Sequence, residues 1–73
     1  MASIDDKKFL RTLGERIRAK REERALTQQQ LGDRCKLHRT FVGSVERGER
    51  NIAILNLRLI AQTLRVSLTE LLG

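Results

Sequence analysis

Apolar residues recur every three or four positions through most of this chain, and charged or amide residues fill the intervals between them. This period is that of an amphipathic α-helix. The first repeat predicts a helix over residues 6–24, capped by Asp5 or Asp6. Its apolar positions are Leu10, Leu13 and Ile17. The basic residues between them are interpreted mainly as a solvated face: Arg16, Arg18, Lys20 and Arg24.

Short polar motifs mark the ends of four further helices. Thr27–Gln30 and Ser67–Glu70 each have the form of a capping box, in which side chains three residues apart bond the free amides of a helix start. His38 can cap another helix, and Gly48 can end it in the left-handed conformation. These helices are predicted over residues 27–35, 38–47, 53–64 and 68–72. Because proline is absent and β-branched runs are few, we expect an all-α protein of five short helices in a single domain, residues 1–73.

The central pair of predicted helices, about residues 27–47, has the spacing of a helix-turn-helix. Two short helices joined by a tight turn can cross steeply only where certain positions are small or apolar. Those positions are Leu31, Gly32, Cys35, Leu37, Val42 and Val45. We expect the second helix of the pair to pass close to Gly32, so that any side chain larger than alanine clashes there. An ordinary helical hairpin is the alternative, but it needs neither this small residue nor a polar outward face on the later helix.

The charge of the chain indicates the kind of partner. Fifteen Lys and Arg against nine Asp and Glu give a net charge of +6 on 73 residues, and such a positive field attracts polyanions. Nucleic acid is therefore the leading partner, and a membrane surface is its rival. No segment approaches the roughly 20 apolar residues needed to span a bilayer, and the opening MASIDD is too acidic for a signal peptide. We expect a cytoplasmic protein with no membrane partner.

Catalytic and metal chemistry find little support in the composition. A single cysteine, Cys35, excludes an internal disulfide and a zinc site built on cysteines, and it is interpreted as a small core residue. The chain also has one histidine, no His-Asp-Ser grouping and no glycine-rich phosphate loop. We therefore expect no enzyme, and infer no catalytic residue, metal, cofactor or small-molecule ligand.

Three segments carry a resemblance to a known family: LGERIRAKREERALTQQQLGDRC, LHRTFVGSVERGERN and SLTELL, within residues 12–72. Together they resemble the lambda-repressor-like (XRE-type) helix-turn-helix family of DNA-binding domains. Within it, the run RTFVGSVERGERNI is similar to the controller proteins of restriction-modification systems. The resemblance implies a small dimeric transcriptional regulator that binds double-stranded operator DNA and controls its own gene and the endonuclease gene.

In such a domain the third helix enters the major groove with its first residues toward the base edges. The predicted base-reading residues are Arg39, Thr40 and Ser44. The fork of Arg39 can hold guanine O6 and N7, a pairing worth about 1–3 kcal/mol against the wrong base. Thr40 offers a hydroxyl group and a methyl group. Ser44 has a shorter side chain that can also reach a base. Exposure to solvent without any DNA contact is an equal alternative for Ser44.

Phosphate contacts position a protein on DNA without specifying the sequence. Gln28 begins the second helix, where free backbone amides and a side-chain amide can together hold a phosphate, and the resemblance makes it the best candidate. The other predicted backbone residues are Gln29, His38, Phe41, Arg47, Arg50 and Asn51, with a minority of the basic residues of the first helix. His38 can equally be a cap without a DNA role. Relatives often have tyrosine at position 41, so that Phe41, which lacks the hydroxyl group, becomes a packing or wedge residue.

The resemblance also implies structural features. It places Arg21 opposite Glu46 as a partly buried ion pair between the first and third helices. Relatives commonly have glycine in three turns that carry other residues here, at Ala25, Lys36 and Arg65. If those turns keep a positive φ, each side chain costs about 1 kcal/mol. Ala53 stands where a serine or threonine usually caps the fourth helix.

The fourth helix carries two apolar stripes. The expected core stripe is Ile54, Leu57, Ile60, Ala61 and Leu64. The second stripe is Ile52, Leu55 and Leu59, joined by Leu68, Leu71 and Leu72 of the fifth helix. Because so small a domain cannot wrap around both, the second is predicted to form a symmetric dimer interface within residues 52–73 that presents two recognition helices to a near-palindromic operator. The alternative is a monomer with a larger core.

Other functions fit the same residues. A phage-type repressor or the DNA-binding antitoxin of a toxin pair would use this fold, and a protein-only interaction module is the alternative of a different class. Binding through several phosphates weakens steeply with salt, whereas an apolar interface does not, and this separates the classes. A regulator bound near a promoter would recruit or block RNA polymerase.

Overall fold

The computed structural model describes residues 3–73, so that Met1 and Ala2, at the start of the predicted domain, lie outside the described residues. The described chain forms α1 (Ile4–Glu23), α2 (Gln28–Cys35), α3 (Arg39–Glu46), α4 (Ile54–Leu64) and α5 (Leu68–Leu72). No strand occurs in this part, and each helix begins and ends within two residues of its predicted bounds. The all-α prediction is confirmed. Over the same residues, no helix has the length and apolar character needed to cross a membrane.

Polar side chains fix the beginnings of four helices. The boxes of Thr27 with Gln30 and of Ser67 with Glu70 both form, and His38 Nδ1 accepts the Thr40 amide at 3.0 Å. At α1 the predicted cap is wrong. Ser3 is the N-cap, because its hydroxyl accepts the Asp6 amide at 3.1 Å while the Asp6 carboxylate accepts the Ser3 amide at 3.2 Å. Ala53, the N-cap of α4, makes no side-chain bond.

The core lies where the five helices meet. α1 packs against α3 and α5, α2 packs against α3 and α4, and α4 packs against α5. The largest fully buried side chains are Ile17, Leu31, Ile60, Leu64, Leu71, Val42 and Val45. Cys35 is buried as expected, with its Sγ 3.4 Å from the hydroxyl of Thr63.

Two glycines allow close backbone contacts around α3. A Cβ on Gly32 would overlap the carbonyl oxygen of Leu37. The prediction at Gly32 is therefore corrected in two respects: the turn passes closest, not the following helix, and alanine is already too large. Gly14 of α1, which the sequence reasoning missed, lies against the end of α3, where a Cβ would overlap the carbonyl oxygen of Val45.

Three non-glycine residues adopt a left-handed backbone. The φ angles are 55° at Ala25, 56° at Lys36 and 57° at Arg65, so each of these turns keeps a positive φ without a glycine. Gly48, after α3, has a φ of 75°, as predicted. The strain at the first three residues is a local stability penalty in turns between helices.

The apolar stripes of α4 differ from the prediction at two residues. Ile52 is 8% exposed and belongs to the core, whereas Ile54, assigned to the core stripe, is 59% exposed. Ile52 precedes the N-cap Ala53 and so lies outside the helical period. It stands one residue before the cap and Leu57 stands at the fourth helical position, the arrangement of a hydrophobic staple.

Leu71, predicted in the dimer interface, is fully buried within the chain's own core. The placement of Ile52 and Leu71 on a free apolar surface is therefore wrong. Leu55 is 71% exposed, and the other predicted interface residues, Leu59, Leu68 and Leu72, are half-buried beside the core.

Two arginines predicted to lie on the solvated face of the first helix, Arg16 of α1 and its C-cap Arg24, instead form structural hydrogen bonds. Arg16 Nη1 donates to the Leu71 carbonyl at 3.3 Å, and Arg24 Nε donates to the Leu64 carbonyl at 3.0 Å. They satisfy carbonyl groups at the ends of α5 and α4, which have no partner within their own helix. Arg18 and Lys20 instead form ion pairs along α1, with Glu22 and Glu23.

Candidate nucleic-acid interface

The start of α3 projects from the domain beside the start of α2. Arg39 and Thr40 are exposed, while Val42 and Val45 on the opposite side are buried. An open groove of about 310 Å³ is lined by Gln28, Arg39, Thr40, Gly43 and Arg47. The structure therefore brings four of the predicted DNA-contacting residues together from two helices. Within residues 3–73 the Arg39 guanidinium has no hydrogen-bond or ion-pair partner, so its donors are free for a ligand.

Ser44 is less available than Arg39 and Thr40. Its side chain is half-buried, and its hydroxyl donates to the carbonyl of Phe41 at 2.7 Å. Serine in a helix often bonds back to the preceding turn in this way. Because the hydroxyl proton is engaged, Ser44 can offer DNA only an acceptor.

The first residues of α2 supply backbone amides. Gln28 and Gln29 occupy the first two helical positions, whose N–H groups have no acceptor within the helix. The side chain of Gln28 is half-buried, and its Nε2 donates to Glu46 Oε1 at 3.1 Å. One N–H of this amide is thus used inside the protein, and the amide is held at the groove.

Gly43 provides the space for this arrangement. Although it lies on the outward side of α3, it is buried beneath two side chains. A Cβ there would stand 3.2 Å from Arg47 Nη1 and 3.3 Å from Gln28 Oε1. The small residue therefore lets both side chains lie flat on the recognition helix, a role that sequence reasoning did not assign. In the sequence, the only signal for this role of Gly43 was a glycine in the middle of an otherwise polar helix face.

Arg21 and Glu46 form the buried ion pair that the resemblance implied. Arg21 Nε lies 2.7 Å from Glu46 Oε2, and Arg21 Nη2 lies 3.0 Å from Glu46 Oε1. The third donor of Arg21 bonds the carbonyl of Leu26 at 2.7 Å. The hydrogen bonds that Arg21 donates to the Glu46 carboxylate raise the pKa of Arg21. The pair joins α1 to α3 and, through Gln28, to α2.

The end of α3 and the loop after it carry further cations. Arg50 places its guanidinium 5.5 Å from the centre of the Phe41 ring, within cation–π range. The Phe41 side chain is half-buried and also packs against the core. Arg47 Nε donates to Glu49 Oε2 at 3.0 Å, and this bond raises the pKa of Arg47. His38 and Asn51 are exposed, but the Nδ1 atom of His38 is engaged as the cap of α3.

A short exposed helix start that projects beside the amides of a second helix is the arrangement of a helix-turn-helix DNA-binding domain. Residues 17–71 match the family model described as Helix-turn-helix (HTH_3), and the chain belongs to this family. It is a family of DNA-binding regulators, not of enzymes.

Similar proteins include controller proteins of restriction-modification systems and a phage repressor. The control protein C.SmaI of Serratia marcescens is 43% identical over 60 residues, which cover 82% of this chain and 71% of that protein. The crystal structure of the restriction-modification controller protein C.AhdI from Aeromonas hydrophila superimposes with a TM-score of 0.87 and 36% identity, over 92% of this chain and 97% of that one. The immunity repressor of Bacillus phage phi105 is 36% identical over 62 residues, covering 85% of this chain but 43% of the repressor. The resemblance to controller proteins is thus confirmed.

Proposed function

We propose that this protein is a dimeric, sequence-specific transcriptional regulator of the controller type, which binds a near-palindromic operator and regulates its own gene and that of a restriction endonuclease. The observation that carries the proposal is the free Arg39 guanidinium beside Thr40, at the exposed start of α3. The similarity to C.SmaI and C.AhdI supports a controller protein over other kinds of helix-turn-helix regulator.

The two helices divide the work of recognition. α3 enters the major groove, where Arg39 donates both arms of its fork to a guanine and Thr40 contacts the neighbouring base. Ser44 accepts from a base or a water molecule. The amides that open α2, with the Gln28 side chain, hold a phosphate, and further backbone contacts come from His38, Phe41, Arg47, Arg50 and Asn51.

An exposed apolar surface on α4 supports the dimer. Ile54 is 59% exposed and Leu55 is 71% exposed, although both are large apolar side chains at the start of α4. We therefore revise the interface to these two residues, with the half-buried Leu59, Leu68 and Leu72 at its margin. Two copies joined here present two α3 helices to half-sites about one helical turn apart. Such a regulator acts in the cytoplasm, where it meets RNA polymerase at the promoter.

Selection of bound sequences from random DNA duplexes at roughly physiological salt tests this function. We expect enrichment of a near-palindrome with guanines at symmetric positions, and occurrences of it upstream of the regulator and endonuclease genes. Binding without any enriched sequence would overturn sequence-specific regulation. Binding of a protein partner that is insensitive to salt, with none to DNA, would favour the protein-only interaction module.

A phage-type repressor is the second candidate, because the phi105 immunity repressor is 36% identical over 62 residues. The same selection separates the two functions. Sites within a prophage control region would favour the repressor, and sites next to an endonuclease gene would favour the controller.

A further inference from the structure

Glu49 places an anion on the proposed DNA face. Its Oε2 accepts from Arg47 Nε at 3.0 Å, and the side chains of Arg47 and Glu49 are 58% and 57% exposed. The same Arg47 lines the groove formed with Gln28, Arg39 and Thr40. A carboxylate is therefore bonded to one of the cations that would meet a phosphate.

The way in which α3 ends fixes the position of Glu49. The Gly48 amide donates to the Val45 carbonyl at 3.0 Å and the Glu49 amide donates to the Ser44 carbonyl at 2.9 Å, which is the pattern of a Schellman motif. Gly48 also lies directly on α1, where a Cβ would be 2.7 Å from Arg11 Cα. These contacts therefore hold the backbone of Glu49 beside Arg47, so we expect any adjustment to DNA to come mainly from its side chain.

Stability gives little reason for an acidic residue at this place. A negative charge just beyond a helix C-terminus is unfavourable in the field of the helix dipole. An ion pair this exposed contributes little, because water and salt screen it. The effect of Glu49 is therefore expected in the charge of the surface and not in the folding of the domain.

We propose that Glu49 is a built-in counterion of Arg47 that weakens the binding of phosphate to this face, whatever the DNA sequence. The inference rests on the proposed function. A phosphate that accepts from the free Nη groups of Arg47 comes close to the Glu49 carboxylate, and the two anions repel each other. The pair also carries no net charge, so that its contact with DNA releases fewer cations than a free arginine releases. Base contacts then supply a larger share of the operator affinity of this basic chain.

The test compares Glu49→Gln with Glu15→Gln, which makes the same change of net charge. Glu15 is an exposed residue of α1 and has no ion pair in residues 3–73. Dissociation constants are measured for the selected operator and for a scrambled duplex between roughly 50 and 200 mM salt. We expect Glu49→Gln to tighten binding to both duplexes by the same factor, about threefold to tenfold. The slope of log affinity against log salt should steepen by about 0.9, whereas Glu15→Gln should change it much less.

The double variant Arg47→Gln/Glu49→Gln restores local neutrality, and its salt slope should return to that of the unchanged protein. If Glu49→Gln behaves like Glu15→Gln while the operator is still bound selectively, the inference is overturned and the proposed function stands. If the unchanged protein binds neither duplex, both fail. Thermal unfolding of the variants checks that each is folded.

Discussion

Gln28 Nε2 donates a hydrogen bond to Glu46 Oε1 at 3.1 Å, so the first residue of α2 is held by the last residue of α3. The same oxygen accepts from Arg21 Nη2 at 3.0 Å. The Glu46 carboxylate therefore connects Gln28, the residue proposed to bind phosphate, to Arg21 of α1. Loss of Glu46 is expected to weaken DNA binding in two ways, through the stability of the domain and through the position of the Gln28 amide.

Removal of either partner of this pair should destabilise the fold strongly. Glu46→Ala or Arg21→Ala is expected to lower the free energy of unfolding by about 3–5 kcal/mol, because the surviving charge stays buried without a partner. The joint change Arg21→Met/Glu46→Leu should lose far less, since no buried charge is left. Urea denaturation measures all three. The exposed pair gives the control: Arg18→Ala should cost about 0–1 kcal/mol. A double variant as unstable as the single ones would contradict this account.

Arg39 should decide between operator and unrelated DNA. Arg39→Ala is expected to reduce the preference for the selected operator by about 1–3 kcal/mol, because the bidentate contact with guanine is lost. Competition binding at constant salt measures that preference. Arg34→Ala, an exposed arginine of α2, removes an equal charge and should leave the preference intact. An Arg39→Ala protein with unchanged discrimination would refute the base-reading assignment.

The left-handed turns leave room to stabilise the domain. Lys36→Gly should raise the free energy of unfolding by about 0.5–1 kcal/mol, since the strain of a side chain at a φ of 56° exceeds the entropy that glycine loses on folding. Thermal unfolding should then rise by a few degrees, at about 4–8 °C per kcal/mol for a domain of this size. The matched change Ala19→Gly, on the exposed side of α1, should instead destabilise by about 1 kcal/mol. Equal losses in the two variants would rule out strain at Lys36.

The exposed face of α4 should be needed for the dimer but not for folding. Leu55 is 71% exposed, so Leu55→Glu is expected to give a folded protein that stays monomeric, because association would bury the new charge in the interface. Sedimentation measures the mass, and circular dichroism checks the helix content. Ile4→Glu changes an apolar residue that is 75% exposed on α1 and should leave the dimer intact. A Leu55→Glu dimer of unchanged stability would place the interface elsewhere.

Local signals were sufficient for the helices and for the caps of α2, α3 and α5, but not for the cap of α1, which is Ser3 and not Asp5 or Asp6. The boxes at Thr27 and Ser67 act over three residues, and the end of α3 at Gly48 depends on one backbone angle. The assignment of Ile52 failed for a physical reason: a period of 3.6 applies only inside a helix, and Ile52 lies before the first turn of α4. Because the helical period was continued through the N-cap, Ile52, a core residue, was assigned to the outer stripe.

Contacts between distant residues were beyond the sequence pattern. Arg16 and Leu71 are 55 positions apart, and Arg24 and Leu64 are 40 apart, so no local rule pairs these side chains with helix ends. The same holds for Gly14, whose close approach to the end of α3 depends on how two helices cross. The bond between Gln28 and Glu46 likewise appears only once α2 and α3 are placed.

The contacts at Gly14 and Gly32 bear on how the domain would adapt to the proposed operator. α3 meets α1 at Val45, and its preceding turn meets α2 at Leu37, through carbonyl oxygens with no side chain between to yield. Close backbone contacts therefore position α3 against α1 and α2, and we expect them to oppose tilting of α3 alone. In the proposed complex, an imperfect fit to the base edges would be accommodated by flexible side chains such as Arg39 and by bending of the duplex. In the proposed complex, the stiffness of base steps that the protein does not touch would thereby contribute to the choice of sequence.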